Sequence, residues 1–251
     1  MAIAVRLHNI HKAFHEEGET LQAISHVSLD IHEGEFFVFL GPSGCGKSTL
    51  LRIIAGLDSG YQGLVTFGDS VHPSGSDLGF VFQQFALLPW LTVTQNIELN
   101  LLARGLSQSE QAQRVKREIA RFHLEKFSDS RPHQLSGGLR QRVGIARALA
   151  ANPKIILMDE AFSELDSFTA AELRKEFLGI WQDTKPTIIM VTHLIPEAIE
   201  LADRIAVVSP RPASIRQIVK NTVPRPRIGR SPEFFALEDE LFRLVSPASQ
   251  K

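Results

Sequence analysis

Apolar positions recur along this chain with two periods, and the places where one gives way to the other mark out its elements. Residues 3–8 and 22–31 alternate apolar and polar, the period of a strand with one buried face, and Glu33-Gly34 supplies a turn after the second. Phe36–Leu40 is a continuous apolar run, which predicts a short strand buried on both faces. A glycine-rich turn follows, and residues 48–55 then take helical spacing up to Gly56. Two more strand-like runs lie at 64–67 and 78–82.

From about Gln84 to Leu149 the texture changes. Residues 92–102, 107–122 and 136–150 carry helical spacing with few strand-like runs between them, which predicts a mostly helical insertion in an α/β domain. The alternation of strand and helix then resumes: strands at 154–158, 187–191 and 204–208, helices at 167–181 and 196–201. Residues 224–230 are rich in proline and arginine, and 232–245 have the spacing of an amphipathic helix. There is no internal repeat and no low-complexity tract.

Composition narrows the function classes without choosing one. Of 251 residues 43% are apolar and 22% charged, an ordinary globular balance, and a net charge of -1 argues against a generally basic nucleic-acid binder. No run approaches the roughly 18 apolar residues of a transmembrane helix. The opening residues lack a basic stretch followed by an apolar one, so no signal peptide is expected. A single cysteine, Cys45, excludes an internal disulfide and suits a reducing compartment. Any membrane role must then come from a separate partner chain.

The chemistry starts at Gly41-Pro42-Ser43-Gly44-Cys45-Gly46-Lys47-Ser48, which matches G-x-x-x-x-G-K-[ST] between a buried strand and a helix. Glycines there let backbone N–H groups converge on phosphate oxygens, the helix N-terminus adds partial positive charge, and Lys47 adds a full one. Ser48 is the hydroxyl expected on Mg²⁺. Far downstream, Ile155-Ile156-Leu157-Met158 leads into Asp159 and Glu160. A strand among phosphate-binding loops would bring Asp159 to the Mg²⁺ shell and leave Glu160 at the strand tip, placed to take a proton from an attacking water. Between these motifs, Ser136 caps a helix whose first turn holds Gly137 and Gly138, a second anion-binding helix start in the same chain.

With Leu135-Ser136-Gly137-Gly138-Leu139-Arg140-Gln141-Arg142 between those two motifs, the chain resembles the nucleotide-binding subunits of ATP-binding-cassette (ABC) transporters over about residues 3 to 245. The resemblance implies an α/β P-loop NTPase of the ABC-ATPase fold: a RecA-like core, an antiparallel β subdomain and a helical signature subdomain over about 84–150. It implies a nucleotide-binding domain at 3–230 and a C-terminal helical tail at 231–251. Gln83 resembles the family glutamine that touches Mg²⁺ or the attacking water, and His193 the switch histidine that senses the γ-phosphate. Ser163-Glu164-Leu165-Asp166 resembles the loop after the catalytic glutamate, with Asp166 counted among the nucleotide contacts together with Thr49. Phe14 stands where the family places a ring against adenine, unless it is simply core. Four positions depart from the family pattern: Leu139 for a polar residue, Ala161 for proline, Glu164 for a small residue and Leu194 for aspartate. None of them removes a reacting group.

The resemblance further implies an ATPase using ATP and Mg²⁺ that works as a pair of identical subunits, each signature turn completing the other's site. The expected partners are transmembrane permease subunits at the cytoplasmic face of the membrane and, indirectly, an extracytoplasmic solute-binding protein, with no nucleic acid. Leu87-Leu88-Pro89-Trp90 and the tail segments 224–227 and 231–235 resemble the branch importing nitrate, alkanesulfonates and taurine. A partner helix is expected near residues 83–98, against an exposed cluster of Phe85, Leu87, Leu88, Pro89 and Trp90. Two other readings stand beside this one: a soluble cassette ATPase acting on DNA or ribosomes, and a subunit that binds nucleotide without turning it over.

Overall fold

The computed structural model describes residues 2–16, 19–68, 70, 77–227, 229 and 231–246. The expected domain limit at 230 and the tail residues 247–251 lie outside them. In chain order the strands and α-helices are β1 (Ile3–Glu16), β2 (Glu19–His32), β3 (Phe36–Leu40), α1 (Lys47–Ile54), β4 (Gln62–Phe67), β5 (Leu78–Val81), α2 (Val93–Glu98), α3 (Gln108–Arg121), α4 (Gly137–Ala150), β6 (Ile155–Asp159), α5 (Ser167–Thr184), β7 (Thr187–Thr192), α6 (Ile195–Leu201), β8 (Arg204–Val208), β9 (Ile215–Lys220) and α7 (Pro232–Val245). They fall into two units, one built from Met1–Pro73 with Lys185–Lys251 and the other from Ser74–Thr184.

The first unit holds two sheets. In one, β1 lies between β2 and β4 with antiparallel pairing on both sides. Val5, Leu7 and Ile10 of β1 are buried opposite Ile31, Leu29 and Val27 of β2, so one face is apolar. The pairing slips between Leu7 and Ile10, where Asn9 and His26 take left-handed φ of 50° and 53° and the Asn9 Oδ1 and His26 Nδ1 atoms lie 2.8 Å apart. That bulge is why apolar alternation stops at residue 8 although the strand continues to Glu16.

In the other sheet β3 pairs in parallel with β7 and β8, and β9 runs antiparallel to β8. Every residue of β3 and of β7 is buried, as the unbroken apolar runs require of strands covered on both faces. Removing Phe36, Phe37 and Phe39 from water contributes about 1.5–3 kcal/mol each. β9 was not legible as a strand because Arg216, Gln217 and Lys220 are exposed and its alternation is weak. Leu50, Leu51, Ile53 and Ile54 form the buried face of α1, and Phe234, Leu237 and Leu241 that of α7. Arg216 closes the end of α7 by donating to the carbonyls of Leu244 and Ser246 at 2.7 and 3.1 Å.

The second unit carries the parallel pair β5 and β6 with helices α2 to α5. Helical spacing over 92–102 resolves into α2 and a 3-10 segment, Leu99–Arg104, ended by Gly105 at φ 63°. Capping boxes start α2 at Thr92 and α3 at Ser107. Arg142 of α4 makes a two-pronged ion pair with Glu176 of α5, joining the helix that follows the signature turn to the one that follows Asp166.

Candidate functional site

Each unit carries part of the candidate chemistry. In the first, the loop leaves β3 at Gly41, whose N–H donates to the Thr192 carbonyl at 3.3 Å, at the C-terminal end of β7. Gly44 and Gly46 have φ of 73° and 116°, and a β-carbon on Gly46 would lie 2.8 Å from the Ala23 carbonyl oxygen of β2. A side chain at 46 is therefore opposed both by backbone conformation and by a neighbouring strand. Gly46 is also the residue before α1, and having no side chain it places no capping group over the start of the helix, the end that carries partial positive charge. Lys47 is 3% exposed, and its Nζ donates to the Gly41 and Pro42 carbonyls at 2.8 Å each. The cation thus bridges the loop whose N–H groups would face phosphate.

Arg211, in the turn between β8 and β9, donates through Nε and Nη2 to the Gly44 carbonyl at 3.1 and 2.7 Å and braces the loop from outside. Loop 42–45, with Ser43 and the buried Cys45, Pro210, Arg211, Val245 and Ser246 line a cavity of about 640 Å³. Phe14 on β1 is 37% exposed rather than core, with Lys12 Nζ 4.7 Å from its ring centre. Lys12 is itself fixed to Asp58 at 2.7 Å. The Phe14 ring is thus a surface ring held beside a cation. His193 follows β7 directly and is exposed, while the next N–H, that of Leu194, donates to Thr192 Oγ1 at 3.1 Å.

In the second unit β6 delivers Asp159 buried at its end and Glu160 at the tip. Glu160 has φ 44°, a left-handed conformation that costs about 1–2 kcal/mol for a residue with a side chain. Its carbonyl accepts from the Ser163 hydroxyl at 2.8 Å and the Ser163 N–H at 3.1 Å, which closes the turn that holds this geometry. Ala161 and Phe162 behind it are buried, so the carboxylate is carried on a well-packed turn. Asp166 caps α5: its Oδ1 accepts from the N–H groups of Phe168 and Thr169 at 3.1 and 3.0 Å. Those bonds, the Thr169 N–H first, hold its carboxyl below the usual carboxylate range. Gln83 Nε2 donates to Glu164 Oε1 at 3.3 Å, so the charge that departs from the family pattern is the group facing that glutamine.

Ser136 Oγ accepts from the Leu139 N–H at 3.3 Å and caps α4. A β-carbon on Gly138 would lie 2.6 Å from Thr169 Cγ2, and one on Gly137 would meet Leu165 Cδ2 at 3.7 Å. Close approach of Thr169 on α5 therefore opposes a side chain at Gly138 independently of any anion, while the 3.7 Å at Gly137 is ordinary contact. Two polar residues that sequence reasoning did not single out organise the segment after Gln83. Asn96, fully buried, donates to the carbonyls of Leu88, Leu91 and Thr92 at 3.2, 3.2 and 2.9 Å and accepts from the Leu88 N–H at 2.9 Å. Arg147, 5% exposed, donates to the carbonyls of Ala86 and Phe85 at 2.6 and 3.0 Å. The usable signal for Arg147 was a lone cation within Ile145-Ala146-Arg147-Ala148-Leu149; Asn96 stands beside Gln95 between Val93 and Ile97, and nothing local singles it out. Of the cluster expected to be exposed, Pro89 and Trp90 are exposed while Phe85, Leu87 and Leu88 are half-buried; Phe82 is exposed as well.

The residues suit a nucleotide with Mg²⁺. A hydroxyl at Ser48 and a carboxylate at Asp159 are hard oxygen donors, and Mg²⁺ takes few protein ligands beside phosphates and water. Among the described residues no group of three or more His, Cys, Asp or Glu side chains could hold a metal by itself. None of their helices is long and apolar enough to cross a membrane.

Comparison with known proteins gives the family. The family model described as ABC transporter matches residues 24–163. The chain is 43% identical over 246 residues to an uncharacterized ABC transporter ATP-binding protein of Methanocaldococcus jannaschii, spanning 98% of this chain and 92% of the relative. It is 41% identical over 242 residues to an aliphatic sulfonates import ATP-binding protein of Bacillus subtilis strain 168, spanning 96% and 93% of the two. A nitrate import ATP-binding protein of Synechocystis is 39% identical over 247 residues, spanning 94% and 93%. Among solved structures, a dimeric post-hydrolysis ATP-binding cassette bound to ADP and Pi superposes with TM-score 0.77 at 37% identity, covering 86% of this chain and 98% of that one.

Proposed function

The chain belongs to the ATP-binding subunits of ABC transporters, and from that premise we propose that it drives import of a small oxyanionic solute such as a sulfonate, nitrate or taurine. The observation that carries the motor reading is the conformation of loop 41–46, whose two left-handed glycines and carbonyl-bound Lys47 lead into the N-terminus of α1. Loop N–H groups and Lys47 bind the β- and γ-phosphates, and Thr49 supports the same helix turn. Ser48 and Asp159 would hold Mg²⁺, with Gln83 the further residue assigned to it or to the attacking water; Mg²⁺ would supply charge neutralisation at the phosphate oxygens. Glu160 takes the proton of the attacking water, and His193 holds the γ-phosphate. Phe14 stacks on the base.

Two copies pair, and Ser136, Gly137 and Gly138 of each complete the other's site with a second helix N-terminus. Asp166 is a further nucleotide contact there, carried at the start of α5, where its Oδ1 accepts from the N–H groups of Phe168 and Thr169. ATP then favours the closed pair through contacts that the open state lacks. The surface at Phe82, Pro89 and Trp90 receives the permease on the cytoplasmic face of the membrane, and the permease with an extracytoplasmic binding protein selects the solute. The nucleotide-binding domain spans 3–230, with a helical subdomain at about 84–150 and a tail after 230.

The deciding experiment compares ATP turnover of the purified chain with that of Glu160→Gln, with size measured in ATP and Mg²⁺. A loss of about 10²–10⁴-fold with an ATP-locked dimer is expected of a general base. Turnover by the variant within threefold of the parent would refute the role given to Glu160. The solute class is tested by transport of labelled sulfonate, taurine and nitrate in cells of the source organism with and without this chain.

A further inference from the structure

Three residues on one face of α4 converge on the segment that follows Gln83. Arg140, Gly144 and Arg147 stand at i, i+4 and i+7, the spacing that lines up side chains along a helix. The Arg140 guanidinium lies 5.2 Å from the centre of the Phe85 ring. A β-carbon on Gly144 would sit 3.5 Å from the Phe85 carbonyl oxygen, so a small residue there lets the loop rest against the helix. Arg147 forks onto the Phe85 and Ala86 carbonyls. Phe85 and Ala86 have φ of 58° and 48°, two successive left-handed residues with side chains, a conformation that persists only where surrounding contacts over-determine it. A planar guanidinium with two parallel donors does that from a fixed direction; an ammonium can reach two carbonyls, as Lys47 does, but as one rotatable point donor that does not fix the plane of the pair.

We propose that Arg147 is a positioning residue for Gln83: by holding residues 85 and 86 left-handed it sets the direction in which the chain leaves Gln83. It also makes the loop move as one body with α4. Gly137 and Arg147 are ten residues apart on that helix, roughly 15 Å along its axis at 1.5 Å per residue. A displacement of the signature turn is thereby transmitted to Gln83, which also touches Glu164 in the loop beside that turn. This inference rests on the reading of Gln83 as a residue that acts on Mg²⁺ or the attacking water.

The test is a cycle in the full chain: Gln83→Ala, Arg147→Lys and the two together, with Arg147→Lys/Ala86→Gly as a fourth variant. ATP turnover and amide hydrogen exchange over residues 83–91 are measured for each. Gln83→Ala alone reports on the underlying reading, and turnover unchanged from the parent overturns that reading and this proposal with it. With the reading intact, Arg147→Lys is expected to lower turnover about tenfold and to speed exchange over 84–88 at least tenfold, with β6 and α5 protected as before. The double variant should be no slower than Gln83→Ala alone, because both changes act through one group. Glycine adopts φ near 48° without strain, so Ala86→Gly should restore at least half of the lost turnover. Losses that multiply in the double variant, unchanged turnover in Arg147→Lys, or absence of rescue would each mean that Arg147 only stabilises the fold, and would overturn the proposal.

Discussion

Gly46→Ala isolates the demand that nucleotide binding places on the loop. The added β-carbon meets two obstacles: a backbone at φ 116°, and the Ala23 carbonyl oxygen at 2.8 Å with Ala213 Cβ at 3.1 Å. Strain of this kind costs about 1–3 kcal/mol, and overpacking against backbone that cannot rotate away costs about 1–3 more. Ala23 is part of β2, its carbonyl accepts from the Ala213 N–H at 2.8 Å and the Ser25 N–H donates back to the Ala213 carbonyl at 2.8 Å, so the loop rather than the strand must give. Either the fold loses that energy, or the loop shifts and its N–H groups no longer converge. At about 1.4 kcal/mol per decade, even the lower bound of 2 kcal/mol weakens ATP binding by roughly 30-fold.

Gly56→Ala is the control: φ is 70°, but nothing lies within 4 Å of the added carbon, so strain acts there without overlap and far from phosphate. The assay is thermal unfolding with and without Mg²⁺ and a slowly hydrolysed ATP analogue, backed by direct titration. Ligand at 100 times its dissociation constant adds about 2.7 kcal/mol, a rise of roughly 5–10 °C for a chain of this size. Gly56→Ala should unfold a few degrees lower yet keep that full rise, and Gly46→Ala should lose most of it. If Gly46→Ala binds nucleotide within threefold of the parent and unfolds within 2 °C of it, the steric argument is wrong.

Two further outcomes follow from the polar contacts. Asn96→Ala removes a fully buried amide that bonds to four backbone groups, of which the Leu88 and Thr92 carbonyls keep another donor, so stability should fall by about 2–4 kcal/mol, read as a lower urea midpoint; a change below 0.5 kcal/mol, about the effect of an ordinary surface substitution, would show that the loop re-pairs unaided. Acid should weaken the fold through Asp166, Asp30 and Glu110, whose carboxyls sit below their ordinary range: the first by the Thr169 N–H, the second by its hydrogen bond from Arg6, the third by the Ser107 hydroxyl. Because the folded state lowers these values, the stabilisation is present above the unfolded range near pH 4 and disappears as pH falls through the folded values. Denaturation midpoints measured from pH 7 to 3 should therefore be level in this respect above about pH 5 and decline below it, and Asp166→Asn should make the decline shallower.

Much of the site was legible because its determinants lie close together in the chain. The run Phe36–Leu40, the glycines after it and the helix from Lys47 are read within a dozen residues, and each local preference agrees with its neighbours. The buried run into Asp159 and the cap at Ser136 were legible for the same reason. Where the reading ran out, the cause was physical. The bulge at Asn9 and His26 breaks the alternation that would have extended β1, and β9 is a largely polar strand whose place is decided by pairing with β8. Phe14 could be core or surface from its type alone; its exposure and the cation beside it follow from the pairing of β1 and from Asp58.

The sequence by itself determined the order of phosphate-binding, signature and acidic motifs, and the alternation of buried strands with helices, since those are set by neighbouring residues and by the period of apolar positions. Only the tertiary structure decided that Asp166 Oδ1 caps the start of α5, that Glu164 faces Gln83, and that Arg147 holds the carbonyls of Phe85 and Ala86. Arg147 and Ala86 are 61 positions apart. No local preference can encode such a contact; it exists because packing of α4 leaves a buried cation with two carbonyls as its partners, and an unpaired charge there would be too costly to keep.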